Sequence, residues 1–293
     1  MGKNLLVSFS GGETSAFMAQ WIKNHLEDVY YKIVFVFANT GLENEQTLEF
    51  VKKCDEHFNL NVQWVEASVY YNERKGTGYN TVDFKTASRK GEPFEQIIKK
   101  YGIPNQAFPH CTRELKIAPI NTFAKEWFNG EKYDTAIGIR IDEIDRMNEK
   151  YKEKRFIYPL IFKSMIPTTK QMINFYWKQM PFRLELKGYQ GNCVNCWKKS
   201  DKKLYQIANE NPKAFDFTYN MELKYGNPNG LTPNGIDEIP RENQRITFFR
   251  NHRSSLDIIE ESKQFKGRIK DDSINDPTLF DGESCDIYSS CAD

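Results

Sequence analysis

Leu5-Leu6-Val7-Ser8-Phe9-Ser10-Gly11-Gly12-Glu13-Thr14-Ser15 is the stretch on which the fold turns. A short apolar β-rich run ends at two adjacent glycines, and Phe17, Met18, Trp21, Ile22 and His25 then follow at helical spacing. A strand therefore hands directly over to a helix. Paired glycines let the backbone approach a ligand closely, and successive N–H groups at a helix N-terminus form an anion nest reinforced by the helix dipole. Ser8, Ser10, Thr14 and Ser15 add hydroxyl groups, with Gly11 and Gly12 between them. The same residues also suit an ordinary tight turn capped by Ser or Thr, and the loop alone does not choose between the two. It is neither the Gly-x-x-x-x-Gly-Lys-Ser/Thr loop nor a Gly-x-Gly-x-x-Gly dinucleotide fingerprint.

Working outward, Lys32–Ala38 reads as a second, nearly continuous apolar strand. A helix is expected over 44–58, a third strand at Val62–Val65, helices over 93–101 and 112–128, and a fourth strand at Thr135–Ile139. Continuous apolar strands separated by helices predict an α/β fold with a doubly wound, mainly parallel sheet covered on both faces. Residues 68–92 are polar and rich in turn signals, and are expected as a long excursion over a site. Past about residue 150 the pattern becomes mostly helical, with a strand end at Tyr158–Ile161 and helices over Thr168–Gln179 and Lys199–Asn209. Residues 225–240 read as a Pro/Gly/Asn loop and the chain beyond Lys266 as a polar tail. The division expected is a nucleotide-binding domain over 1–150, a helical Cys-x-x-Cys region over 151–265 and a Cys-containing tail over 266–293.

The chain has 293 residues, 41 Lys+Arg and 40 Asp+Glu, a net charge of +1. Near-neutrality argues against a protein that coats polyanions generically, while allowing a local basic groove. No apolar run reaches the ~18–20 residues of a membrane span and no signal peptide is legible, so a soluble cytoplasmic protein is expected.

Ser10-Gly11-Gly12-Glu13-Thr14-Ser15 resembles the PP-loop, usually Ser-Gly-Gly-x-Asp-Ser, of the adenine-nucleotide alpha-hydrolase-like superfamily, with Thr14 where Asp is usual. Asn39-Thr40-Gly41-Leu42-Glu43 looks like the Asp-Thr-Gly-x-Glu loop of the phosphoadenosine phosphosulfate (PAPS) reductase family. Cys111-Thr112-Arg113-Glu114-Leu115-Lys116-Ile117-Ala118-Pro119 resembles that family's Cys-Thr-x-x-Leu-Lys-Ile-x-Pro segment, and Gly138-Ile139-Arg140-Ile141-Asp142-Glu143 its Gly-x-Arg-x-Asp-Glu loop, with Arg146 one residue short of the pattern's following Arg. Four motifs in order, over roughly residues 5–200, identify the family and leave the substrate open. In a doubly wound sheet these loops converge at the carboxyl ends of the strands. The resemblance implies an adenine nucleotide, ATP or PAPS, bound by Ser8, Ser10, Gly11, Gly12, Thr14, Ser15, Asn39, Thr40, Gly41, Glu43, Arg113, Lys116, Gly138, Arg140 and Arg146. Arginine offers a fork suited to phosphate or sulfate oxygens. Asp142 and Glu143 would orient Arg140 or hold a metal such as Mg.

There are six cysteines, and Cys193-Val194-Asn195-Cys196 is the only Cys-x-x-Cys. That spacing suits two ligands to one metal or a redox dithiol. A closed zinc or iron–sulfur site generally needs four ligands. Cys111 is the best third candidate and Cys285 or Cys291 the fourth, so a 4Fe-4S cluster or Zn is expected on Cys111, Cys193, Cys196 and Cys285. Cys54 is expected in the core. The family reductases place a nucleophilic Cys in a mobile C-terminal tail, so Cys111, Cys285 and Arg140 are the catalytic candidates, although the tail Glu-Cys-Gly-Leu-His is absent. The aromatics Phe175, Tyr176, Trp177 and Phe182 are expected as core. Lys198, Lys199, Lys202 and Lys203 form a local basic run that is either solvated or set against nucleic-acid phosphate.

Two chemistries suit the reading: thiolate attack on an adenylyl sulfate, or adenylation of an acceptor with pyrophosphate release before sulfur insertion. The partners implied are a nucleic-acid acceptor and a thiol reductant or sulfur-donor protein. A different class of function is a non-catalytic nucleotide- or nucleic-acid-binding component of a modification or defence complex.

Overall fold

In a computed structural model the described residues are 3–71, 73–191, 193–226 and 246–269. The strands are β1 (Asn4–Ser8), β2 (Lys32–Asn39), β3 (Gln63–Ser68), β4 (Gly78–Val82), β5 (Tyr133–Ala136) and β6 (Phe156–Ile157). They form one sheet in the order β4-β3-β2-β1-β5-β6. All neighbours are parallel except β3 and β4. The expected α/β, mainly parallel architecture is observed. The connections reverse direction at β1, between β2 and β5, the switch point where ligands bind such sheets.

Successive residues of a strand face opposite sides of the sheet, which explains the two apolar layers. Leu5, Val7, Phe35 and Phe37 pack on α1 (Glu13–His25) and α2 (Glu45–Phe58), with Ile173 and Trp177 of α5 (Lys170–Gln179) in the same cluster. Leu6, Val34, Val36, Ala38 and Val65 pack on Ile120, Phe123 and Ala124 of α4 (Ala118–Trp127). Each fully buried side chain of this kind contributes about 1.5–3 kcal/mol. A third cluster unites α3 (Glu92–Tyr101), α6 (Asp201–Glu210), α7 (Asp216–Tyr225) and α8 (Ser255–Ser262) through Ile97, Leu204, Met221 and Ile258, with Phe215 and Phe248 between them.

Several expected elements shift. The 68–92 excursion holds β4, which pairs antiparallel with β3. Its polar residues Asn80 and Thr81 are exposed, so an edge strand carries no apolar signature here. The fourth parallel strand is Tyr133–Ala136, while Tyr158–Ile161 lies in a turn beyond the short β6. The helix expected over 112–128 divides into a π-helical turn, Arg113–Ile117, and α4. At α5 the cap is Thr169, whose Oγ1 accepts from Met172 N at 3.4 Å. Cys54 is buried in the first cluster, as are Trp177 and, at its margin, Tyr176 and Phe182, whereas Phe175, also expected in the core, lies on the exposed face of α5. Residues 227–240 of the expected loop and 270–293 of the tail, with Cys285 and Cys291, lie outside the described residues. No helix among the described residues is long and apolar enough to cross a membrane.

Candidate active site

The loop after β1 folds around Ser15. Its Oγ accepts from Ser10 N (3.2 Å) and Ser10 Oγ (3.0 Å) and donates to Gly12 O (2.9 Å). Gly11 has φ +81°, and a Cβ there would stand 2.7 Å from Thr47 Cγ2, so only glycine fits both the conformation and the space. Gly12 is the N-cap of α1 and no side chain caps the helix. The N-terminal amides of α1 thus present the partial positive charge that favours an anion.

The loop after β5 closes on this turn. A Cβ on Gly138 would lie 3.2 Å from Ser15 Cα, so the two backbones touch. Two residues on, Arg140 Nη1 donates to Thr14 Oγ1 at 3.1 Å. Asp142 accepts from Arg140 Nε and Nη2 at 3.1–3.2 Å and also from Lys170 N at 3.2 Å. Glu143 bridges Arg140 (3.2 Å) and Arg146 (2.6 Å). Asp142 and Glu143 therefore orient arginines. The position where the PP-loop pattern has Asp is here a hydroxyl bonded to a guanidinium.

The loop after β2 is held from within. Glu43, buried, accepts from Thr40 N and Thr40 Oγ1 at 2.9 Å and stands 3.8 Å from Lys116 Nζ. Asn39 donates to Glu66 (2.6 Å) and Ser88 O (2.9 Å) and accepts from Gly41 N (3.1 Å), so its amide shapes the loop. Glu66 also accepts from Ser88 N and Oγ, pinning the segment before α3 beside β2. Glu66 and Ser88 were not singled out from the sequence; the available signal was a carboxylate within the apolar run of β3. Arg113 is largely exposed and paired with Glu114 at 2.6 Å, whereas Lys116, three residues on, is buried. Ser8 is buried at the end of β1.

The Cys-x-x-Cys segment joins the same loop. Cys193 forms a β-bridge with Glu43, and Val194 N donates to Leu42 O at 3.1 Å. Cys111, Cys193 and Cys196 line one cavity of about 40 Å³ with Thr40, Lys116 and Trp197. Cys193 Sγ lies 3.5 Å from Thr40 Oγ1. Its pKa is pushed up to about 11, by burial first and then by the Glu43 carboxylate, against the opposing pull of Lys116 and Thr40. Among the described residues no group of three or more His, Cys, Asp or Glu is placed to hold a metal ion. Of the set expected to hold an iron–sulfur cluster or zinc, Cys111, Cys193 and Cys196 share that cavity while Cys285 lies outside the described residues, and Asp142 and Glu143, the expected Mg ligands, are both engaged by arginines. The expected basic run is only partly solvated: Lys202 is exposed, but Lys199 and Lys203 are buried and Lys199 Nζ donates to the carbonyls of Tyr189 and Gly191.

Residues 4–157 match the phosphoadenosine phosphosulfate reductase domain. An uncharacterized nin region protein of Escherichia phage lambda is 31% identical over 202 residues, covering 68% of this chain and 67% of that protein. Two uncharacterized proteins of Methanocaldococcus jannaschii are 24% and 29% identical over 246 and 120 residues, 78% and 41% of this chain. The chain spans 43% and 22% of those two proteins' lengths. With its PP-loop nucleotide-binding domain formed at the switch point of the sheet, the chain belongs to the phosphoadenosine phosphosulfate reductase domain family.

Proposed function

We propose that the chain is an enzyme that takes an adenine nucleotide in the crevice of residues 10–15, 39–43, 113–116 and 138–146 and uses it for sulfur chemistry. The observation that carries this reading is the Arg140–Thr14 hydrogen bond at the uncapped N-terminus of α1. It sets a guanidinium fork beside a row of backbone amides, an arrangement that stabilises negative charge developing on a phosphoryl group. One of the two chemistries that suit it uses ATP to adenylate an acceptor. In that reaction an acceptor oxygen bonds to the α-phosphorus, the bond to the bridging oxygen breaks, and pyrophosphate leaves carrying the electron pair. Arg140 and Arg146 neutralise charge on the phosphates, and the acceptor is left adenylated and open to displacement by sulfur.

A second reading, reduction of an adenylyl sulfate, is supported by the three thiols gathered beside Thr40. A thiolate would attack the sulfonyl sulfur and release the nucleotide phosphate. Burial keeps Cys193 protonated at neutral pH, which counts against it as that nucleophile and leaves Cys111 or Cys285 for the role.

Isothermal titration with ATP, AMP and PAPS tests the reading, followed by pyrophosphate-release and sulfite-release assays. ATP binding with acceptor-dependent pyrophosphate release is the expected result. Sulfite release from PAPS would favour reduction, and absence of any nucleotide binding would overturn both.

A further inference from the structure

The loop Leu42–Asn44 has a second neighbour besides the nucleotide crevice. A cleft of about 630 Å³ opens between this loop, Arg89–Lys90 ahead of α3, and the turn entering α7. Glu43 belongs to both the crevice and the cleft, and Leu42 and Asn195 line both the cleft and the cysteine cavity. Anything lodged in the cleft therefore lies against the nucleotide loop, with Leu42 and Asn195 between it and the cysteine cavity.

The lining chemistry is specific. Arg89 and Lys224 are ion-paired with Glu45 and Glu95. Lys90 and Lys213 are exposed, line the cleft, and their side chains enter no ion pair among the described residues. Asp216 is an exposed carboxylate on the same wall and Glu43 a buried one; between the cations lie neutral amides, of which Asn211 and Asn220 are exposed and Asn44 uses its Nδ2 on Gln190 O at 2.9 Å, keeping Oδ1 as an acceptor. Phe217, half-buried, leans on Phe94 with ring centroids 5.6 Å apart and adds an aromatic surface to the wall. Cations at the margins, amides able to both donate and accept, and one ring are what an unpaired nucleotide requires: phosphate neutralisation, base-edge hydrogen bonds and stacking. The volume lies in the range of small-molecule-sized sites, enough for a nucleotide or two and too small for a duplex.

We propose that this cleft binds a single-stranded nucleic-acid segment, with a base against Phe217 and its flanking phosphates on Lys90 and Lys213, and so presents the acceptor to the nucleotide loop. The acceptor role rests on the adenylation reading above; the binding itself does not.

The test is fluorescence anisotropy of the full chain with a fluorescein-labelled single-stranded oligonucleotide of mixed sequence, as RNA and as DNA, with the matching duplex and polyglutamate as competitors. The single strand should bind more tightly than the duplex, and the RNA and DNA arms identify which sugar is preferred. Lys90→Ala with Lys213→Ala should weaken binding about tenfold and reduce the slope of log affinity against log salt by about 1.4, two single-strand phosphate contacts. Phe217→Leu, which retains an apolar contact with Phe94, should weaken binding about tenfold, as expected for a lost stacked base. Arg140→Ala should weaken ATP binding by about one to two orders of magnitude and keep oligonucleotide binding, so failure of the nucleotide reading and failure of this one are separable. Oligonucleotide binding unchanged in the double variant, no oligonucleotide binding by a protein that binds ATP, or displacement by polyglutamate as effective as by the single strand would overturn the proposal, the last in favour of an acidic protein partner.

Discussion

Arg140 Nη1 and Thr14 Oγ1 meet at 3.1 Å, joining the loop after β5 to the first turn of α1 across the switch point of the sheet. Arg140 also has Asp142 on its Nε and Nη2, so the plane of the guanidinium is set before any ligand arrives. The charge is thereby fixed in place beside the α1 amides, so a phosphate meets it with little ordering cost. Arg140→Ala is expected to weaken ATP binding by about one to two orders of magnitude, the ~1.5–3 kcal/mol of a charged hydrogen bond. Arg140→Lys keeps the charge without the fork and should recover only part of the loss. Titration calorimetry of both variants checks this, and equal affinities for wild type and Arg140→Ala would remove Arg140 from the site.

Cys193 is expected to behave as an inert thiol in the folded protein. Burial and the Glu43 carboxylate push its pKa up to about 11 from a model-compound value of 9.0. Because the folded value is raised, the stability linked to this thiol is fully present below about pH 9 and is lost as the pH rises through about 11. Near neutral pH, iodoacetamide should leave Cys193 unmodified in the native protein and label it in concentrated urea. Peptide mass spectrometry reads both states. Rapid labelling of native Cys193 would show a thiolate and would restore it as a candidate nucleophile.

The order of strands and helices through residue 139 was legible because β1 and β2 are continuous apolar runs, as strands buried on both faces must be. The edge strand β4 was not, since Asn80 and Thr81 point to water and carry no periodic apolar signal. At the site, the glycines and arginines announced themselves by motif. The roles of Asn39 and Glu43 did not, because each is set by a partner distant in sequence or by local bonding: Asn39 by Glu66 on β3, Glu43 by Thr40 and by Lys116. The lysines beside Cys196 look like a solvated face in sequence, yet Lys199 is buried on two backbone carbonyls. Nothing short of the packing distinguishes those two fates for a lysine.

Glu66 is expected to hold the crevice loop in shape without touching nucleotide. Its carboxylate is buried and accepts from Asn39 and from both the N–H and the hydroxyl of Ser88. Glu66→Ala leaves these donors short of partners and should cost about 2–4 kcal/mol in urea unfolding. Hydrogen exchange should accelerate in residues 83–91 and around Asn39–Glu43. Wild-type exchange in those segments would show that the clamp is dispensable.

The phosphate loop is also tied to the second half of the chain, and this tie should give a pH-dependent cost when cut. Glu13 Oε1 and Oε2 accept from Arg183 Nε and Nη2 at 3.1 and 3.2 Å, Leu184 N donates to the same carboxylate, and Trp177 Nε1 donates to Glu13 O at 3.0 Å. Burial holds the Glu13 carboxyl above its ordinary value of 4.5, and Arg183 is the largest force opposing that rise. Arg183→Met removes the opposing charge and drives the folded-state pKa higher. A raised carboxyl is not penalised below its unfolded pKa, where both states carry the proton, and its cost grows as the pH climbs towards the folded value. The variant should therefore lose about 2–4 kcal/mol near pH 7, somewhat under the ~3–5 kcal/mol of a fully buried pair because Arg183 is partly exposed, and distinctly less near pH 4. Urea unfolding at the two pH values measures the difference. Glu13→Gln with Arg183→Met should flatten it, because the titrating group is gone, and a pH-independent deficit in the single variant would assign Arg183 a packing role alone.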